Sequence, residues 1–211
     1  MLIVCLRYQA PEEIQREIPA SIDAFADHLK SLGILPEQIA TAPRPLALVD
    51  LVSSGSTFRH VTALMLEVSN QRSVDLNAVR RRTQFVGITW RSKNSPNTFR
   101  WHQHASWLSK FSASAVKNVS IPGPMWDYLG NRQGKVVPTN PPWRWADSAI
   151  TRPPRDSEHL LALRQALKLF DLGCTANERQ SFSTELANQY AMRESWCRSL
   201  VAELRGKSTR G

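Results

Sequence analysis

Apolar residues follow two rhythms along this chain, short continuous runs and stripes spaced three and four apart, and the two alternate through residues 1–90. Residues 2–6 (Leu-Ile-Val-Cys-Leu) are a short apolar run and predict a buried strand. Over residues 11–32, Ile14, Ile18, Ile22, Phe25, Ala26 and Leu29 recur at helical spacing behind Pro11, Glu12 and Glu13, which suit a first helical turn. Pro19 falls inside that stripe and predicts a kink or two shorter helices, and Gly33 the stop. The prolines at 36, 43 and 45 mark residues 36–45 as a loop. Residues 46–51 (Leu-Ala-Leu-Val-Asp-Leu) read as a strand of the continuous apolar kind found inside parallel sheets. Phe58, Val61, Thr62, Leu64, Met65 and Val68 predict a helix over 56–69, residues 75–82 are helical or turn-like, and 85–89 is the next strand. Strand, helix and strand with a crossover of this length imply a parallel, right-handed unit.

Beyond residue 91 the rhythm weakens. Helices are possible at 102–115 and 124–130, and Val136 and Val137 could begin a short strand. Residues 138–154, with Pro138, Pro141, Pro142, Pro153 and Pro154, read as a loop or linker. Two clear helical stripes follow. One covers 157–172, with Leu160, Leu161, Leu163, Leu167 and Phe170 ahead of Gly173; the other covers 177–204, with Phe182, Leu186, Tyr190, Trp196, Leu200, Val201 and Leu204. The expected organisation is an α/β domain over 1–137, a Pro/Trp-rich linker over 138–156 and a C-terminal helical extension over 157–211.

Composition sharpens this picture in three ways. First, 42% apolar residues in 211 support a core, and no stretch approaches the roughly 20 apolar residues that span a bilayer. Residues 1–8 lack the basic start and small-residue cleavage site of a signal peptide. Cys5, Cys174 and Cys197 match no zinc spacing, and an odd count argues for free thiols in a reducing cytoplasm. Second, the formal charge of +9 is uneven: net −3 over 1–70, net +11 over 71–155 and net +1 over 156–211. Third, the basic segment also holds Trp90, Trp101, Trp107, Trp126, Trp143 and Trp145, six of the seven tryptophans. Cations mixed with rings suit nucleic acid, whereas tryptophans committed to the core would leave only a solvated basic surface.

The densest candidate chemistry lies just after the 46–51 strand. Ser53-Ser54-Gly55-Ser56-Thr57 is a hydroxyl-rich turn around one glycine, and a helix opens directly behind it. Free N–H groups and the helix dipole favour a phosphate at such a point. Asp50 stands at the strand's C-terminal end, where open parallel sheets bind ligands, and an ionised carboxylate there can accept from vicinal ribose hydroxyls.

Residues 46–90 on these grounds resemble the phosphoribosyl-pyrophosphate loop region of the type I phosphoribosyltransferases. Asp50 takes the place of that family's second acid, and Ser54, Gly55, Ser56 and Thr57 match its 5-phosphate cradle. Val49 stands where the family has its first acid, and Ser53 where some members carry an aspartate base. No glycine precedes Gly33 to form the family's pyrophosphate loop. The resemblance implies a three-layer parallel-sheet phosphoribosyltransferase-like α/β domain with a C-terminal helical extension. It also implies phosphoribosyl pyrophosphate bound with Mg²⁺, Asp50 as the catalytic and ribose-binding residue, and Ser53, Ser54, Gly55, Ser56 and Thr57 around the phosphate. Trp90 and Arg91, at the end of the next strand, are candidates for base stacking or a pyrophosphate contact, although Trp90 could equally cap the core. Divergent relatives include toxins and defence effectors, as well as regulators that bind nucleotides without turning them over.

Other candidates carry less. His102 and His104 face one side only on a strand, and no third ligand stands near them in sequence to complete a metal set. His60 could approach the phosphate from the first turn of its helix or lie on the helix surface. Arg80, Arg81 and Arg82 form a charged face that could touch a polyanion. The C-terminal helices could bind a protein partner.

Overall fold

The computed structural model describes residues 16, 19–91, 100–132, 147, 149 and 155–206. They divide between two compact units, one containing the elements up to residue 132 and the other the helices from 157 onward.

In the first unit, helix α1 (Pro19–Ser31) begins at the proline that interrupts the sequence stripe. A proline in the first turn costs no hydrogen bond, because that N–H has no partner in a helix anyway. The segment expected as a loop over 36–45 instead starts with a helix, α2 (Pro36–Thr41), for the same reason: Pro36 occupies its first turn. The Leu35 N–H donates to Gln38 Oε1 at 2.8 Å and closes the end. Then come β1 (Leu46–Leu51), α3 (Ser56–Gln71), α4 (Leu76–Arg81) and β2 (Thr83–Trp90), as the sequence predicts.

The helix expected at 102–115 is absent. Three short 3₁₀ turns occupy Trp101–His104, Ser106–Lys110 and Ala113–Ala115. Tryptophans and a phenylalanine at 101, 107 and 111 are held by ring contacts that a single straight helix does not provide. A third strand, β3 (Val116–Ile121), follows where the sequence pattern predicts none; a short helix, α5 (Gly123–Asp127), leads into a π turn over Tyr128–Arg132. The Val136–Val137 strand and nearly all of the 138–154 linker lie outside the described residues, as do residues 2–6.

The three described strands are all parallel in the order β1-β2-β3. Side chains alternate across the sheet. On one face Leu46 and Leu48 pack against a core drawn from α1–α4, including Ile22, Phe25, Leu64, Met65, Val68 and Val79. A second cluster under the same face joins Val52, Phe58, Phe85, Trp101, Ala105 and Ala115. The other face is more open: Val49 is 60% and Val119 50% exposed. The expectation that β1 is buried on both faces therefore fails, because the helices on either side of it in sequence pack on one side only. β2 shows the alternation most cleanly, with Thr83, Phe85, Gly87 and Thr89 buried and Gln84, Val86, Ile88 and Trp90 half-buried.

The second unit is helical: α6 (Ser157–Cys174), α7 (Ala176–Ala187) and α8 (Ser195–Gly206). The single helix expected over 177–204 is broken. α7 stops at Asn188, a 3₁₀ turn covers Tyr190–Arg193, and Gln189 and Glu194 are extended on either side. Arg198 fastens the break by donating from its guanidinium to the carbonyls of Met192 (3.0 Å) and Arg193 (2.6 Å). Each of α6 and α7 opens on a side-chain cap, Asp156 accepting from the His159 N–H and Thr175 from the Glu178 N–H. Among the described residues no helix is long and apolar enough to cross a membrane.

Candidate functional site

The 53–57 turn joins the C-terminal end of β1 to α3. Pairing with β2 runs one residue past the strand, where the Val52 N–H donates to the Ile88 carbonyl at 2.9 Å. The chain then turns over, and Gly55 takes a left-handed conformation (φ 77°) as the N-cap of α3. A residue with a Cβ would be strained there. No side chain caps this helix end. Among the described residues, the N–H groups of Ser53, Ser54, Gly55, Ser56 and Thr57 donate to no backbone carbonyl. Ser53, Ser54 and Ser56 are exposed, Thr57 is half-buried and Gly55 is buried. The turn therefore presents open donors and three hydroxyls at the positive end of a 16-residue helix.

The sheet register places further polar groups beside it. Asp50 pairs with Gly87, and Gly87 pairs with Asn118, so Asp50 and Asn118 flank a glycine in one row on the helix-covered face. The next row on that face pairs Thr89, fully buried, with Ser120. Gly87 leaves a slot in the sheet, and the Trp101 indole fills it. A Cβ on Gly87 would stand 2.6 Å from Trp101 Nε1, and a Cβ on Gly55 would stand 2.4 Å from the indole's Cε3 and Cζ3. Both glycines thus make room for one ring, which is only 1% exposed. The missing side chain of Gly55 admits Trp101 rather than an anion; the open side of the turn is its serine side.

Trp101 organises the surrounding polar atoms. Its indole N–H donates to Asn118 Oδ1 at 2.8 Å. That fixes the amide, so Asn118 Nδ2 donates to His102 Nδ1 at 3.2 Å. His102 accordingly carries its proton on Nε2. Burial, then the neighbouring Arg100 charge, hold its pKa below the ordinary histidine range. His60, in the first turn of α3, is buried and accepts from Arg59 Nη2 at 3.2 Å. Burial first, and the Arg59 charge second, push it down to about 4, so it is neutral at physiological pH.

The sequence candidates separate into two groups. Asp50 and residues 53–57 come together at one end of the sheet on the α3 side. Trp90 sits on the opposite face, edge-on to Trp126 with ring centroids 5.1 Å apart. The Trp126 N–H donates to the Ile88 carbonyl at 3.1 Å. Arg91 is exposed just past β2, its N–H bonded to the Ile121 carbonyl at 2.8 Å. Val49, in the position of the family's first acid, points to the exposed face, away from Asp50. Of the six tryptophans in the basic segment, Trp90, Trp101, Trp107 and Trp126 pack against other rings, and Trp143 and Trp145 lie outside the described residues. Among the described residues no three His, Cys, Asp or Glu side chains converge as a metal set. The donors around the turn, one carboxylate and several hydroxyls, fit a Mg²⁺ that arrives chelated by a pyrophosphate and touches few protein atoms.

Trp101, Asn118, His102 and Gly87 were not foreseen as site neighbours. One signal for them is present in the sequence. A glycine inside the apolar strand Phe85-Val86-Gly87-Ile88-Thr89 marks a close approach by another group.

Fold and site together define an α/β protein whose parallel sheet carries, at its C-terminal edge, a glycine-opened helix N-terminus beside a carboxylate. Comparison with protein-family models, with curated proteins and with solved structures finds no match.

Proposed function

We propose that this edge binds a phosphorylated ribose, either phosphoribosyl pyrophosphate with Mg²⁺ or a nucleotide. The observation that carries the reading is the uncapped start of α3: the left-handed Gly55 leaves the N–H groups of 53–57 open at a helix N-terminus beside Asp50. The N–H groups and the hydroxyls of Ser54, Ser56 and Thr57 receive the 5-phosphate, and Asp50 accepts from the ribose diol. On this reading the domain is a three-layer, phosphoribosyltransferase-like α/β domain.

If the bound compound is phosphoribosyl pyrophosphate, the chemistry it permits is displacement of pyrophosphate at ribose C1 by an acceptor. The transition state is oxocarbenium-like, so the chain contributes position and electrostatic support rather than a covalent intermediate. A Mg²⁺ bound with the substrate would supply charge neutralisation for the leaving pyrophosphate. Asp50 is the residue placed to orient the ribose.

A specific observation favours binding without turnover as the second reading. Asp50 acts without the paired acid, because Val49 projects from the other face of the sheet. Isothermal titration of phosphoribosyl pyrophosphate with Mg²⁺ tests the first reading. Wild type gives saturable heat and Asp50→Ala weakens it at least about tenfold, the scale of one lost charge-assisted contact. No heat with wild type sinks the proposal. Pyrophosphate release in the presence of candidate bases separates an enzyme from a nucleotide-binding regulator. Growth arrest on expression that Asp50→Ala relieves points to a toxin or defence effector.

A further inference from the structure

We infer that α6 pairs antiparallel with α6 of a second copy of this chain, so that the protein is a dimer closed through its C-terminal helices. α6 is 18 residues long and none of its residues is buried. Exposed leucines nevertheless stand round most of its circumference, Leu161, Leu169 and Leu172 among them, and one stripe of apolar residues is regular. Leu163 is 54%, Leu167 52% and Phe170 69% exposed, and Leu160 is 45% exposed. An isolated helix of this length is marginal in water, and such a face stabilises it only when covered.

The spacing identifies what covers it. Leu160, Leu163, Leu167, Phe170 and Cys174 recur at intervals of three and four, the seam by which two like helices interlock side chains. The charges beside the seam choose the direction. Arg164 and Asp171 occupy equivalent positions on one edge, a heptad apart, and both are exposed. Antiparallel pairing sets this edge against the same edge of the second copy. Each Arg164 then meets Asp171 of the other chain, Leu167 lies opposite Phe170, and Leu163 opposite Cys174. Parallel pairing would set Arg164 against His159 and Asp171 against Ala166, with no opposite charge at either. His159 is in any case held by Asp156, its Nδ1 2.7 Å from the carboxylate. The antiparallel contact is isologous and therefore closes at two copies.

Sedimentation equilibrium of the full chain across micromolar concentrations tests this. The expected mass is twice 23.8 kDa. Leu163→Glu combined with Leu167→Glu yields a monomer that keeps its helical circular dichroism, since those side chains are exposed within one chain. Arg164→Glu alone and Asp171→Arg alone each weaken the dimer about five- to tenfold, two exposed ion pairs being exchanged for repulsions. The combined Arg164→Glu/Asp171→Arg chain, which restores both pairs in reverse, regains wild-type affinity. A wild type that stays monomeric, or a dimer that survives the paired leucine change, overturns the inference. Failure of the charge swap to rescue overturns the antiparallel pairing. The swap substitutes only exposed polar residues, so its outcome stands even if the leucine variant misfolds.

Discussion

At the scale of single residues, Gly55 and Gly87 are fixed by one tryptophan. Adding a methyl at either places it within 2.6 Å of indole atoms that are themselves walled in by Phe58 and Trp107. Gly87→Ala is expected to cost on the order of 1–3 kcal/mol, the range for overpacking a close-packed interior. Gly55→Ala adds the strain of a left-handed backbone to the same clash. Chemical denaturation should show the Gly87→Ala penalty shrinking when Trp101 is already Phe, because the clashing Nε1 is gone. Equal penalties in both backgrounds would mean the indole does not fill the slot.

His60 supplies a pH prediction. In the folded chain it stays neutral down to about pH 4, whereas an exposed histidine protonates near 6.5. As pH falls through that window the unfolded chain binds the proton first, so this contribution is full above pH 6.5 and is lost toward pH 4. The loss is on the order of 3 kcal/mol. His102 shifts in the same direction. Thermal midpoints of wild type should fall between pH 6.5 and 4 more steeply than those of His60→Leu; parallel profiles would contradict this.

At the scale of elements, the parts best read from sequence are those where one period runs unbroken. The 46–51 strand, the 56–71 helix and the 157–174 helix each follow one rhythm from a defined start, and the 53–57 turn stands out because hydroxyls and a glycine interrupt two strong apolar patterns. Where tertiary contacts override local pattern, the sequence is silent. Trp107 and Phe111 sit at a spacing that suits a helix, yet their rings converge on Phe85, which lies far away in sequence, while Trp101 packs on Phe58 and Trp107, and the backbone breaks into 3₁₀ turns to let them. β3 was hidden because Val116-Lys117-Asn118-Val119-Ser120-Ile121 spends alternate positions on a polar contact and a solvent face. The break at 188–194 is likewise set by Arg198 reaching back to two carbonyls, which no periodicity reveals. The caps give a further expectation at this scale. Asp156→Ala should cost about 1 kcal/mol of helical stability by removing the acceptor at the start of α6, and Thr175→Ala about the same for α7. Differential scanning calorimetry of the two variants checks both.

At the scale of the whole molecule, the two proposals fall on two units. The α/β unit gathers Asp50, the serine turn and the Trp101–Asn118–His102 chain at one end of a parallel sheet, and the helical unit presents a self-complementary seam. Among the described residues, Arg72, Arg80, Arg81, Arg82, Arg91, Arg100, Lys110, Lys117 and Arg132 of the basic segment lie in the first unit, and Trp90, Trp101, Trp107 and Trp126 pack against other rings.

The most direct test of the ribose-phosphate site is amide chemical-shift mapping during titration with ribose 5-phosphate. The resonances of Ser54, Gly55, Ser56 and Thr57 are expected to move together and saturably, and Asp50→Ala to weaken the response to the ribose while leaving the same amides responsive to phosphate. Unmoved amides in the 53–57 turn at saturating ligand, or shifts confined to another part of the chain, would contradict it.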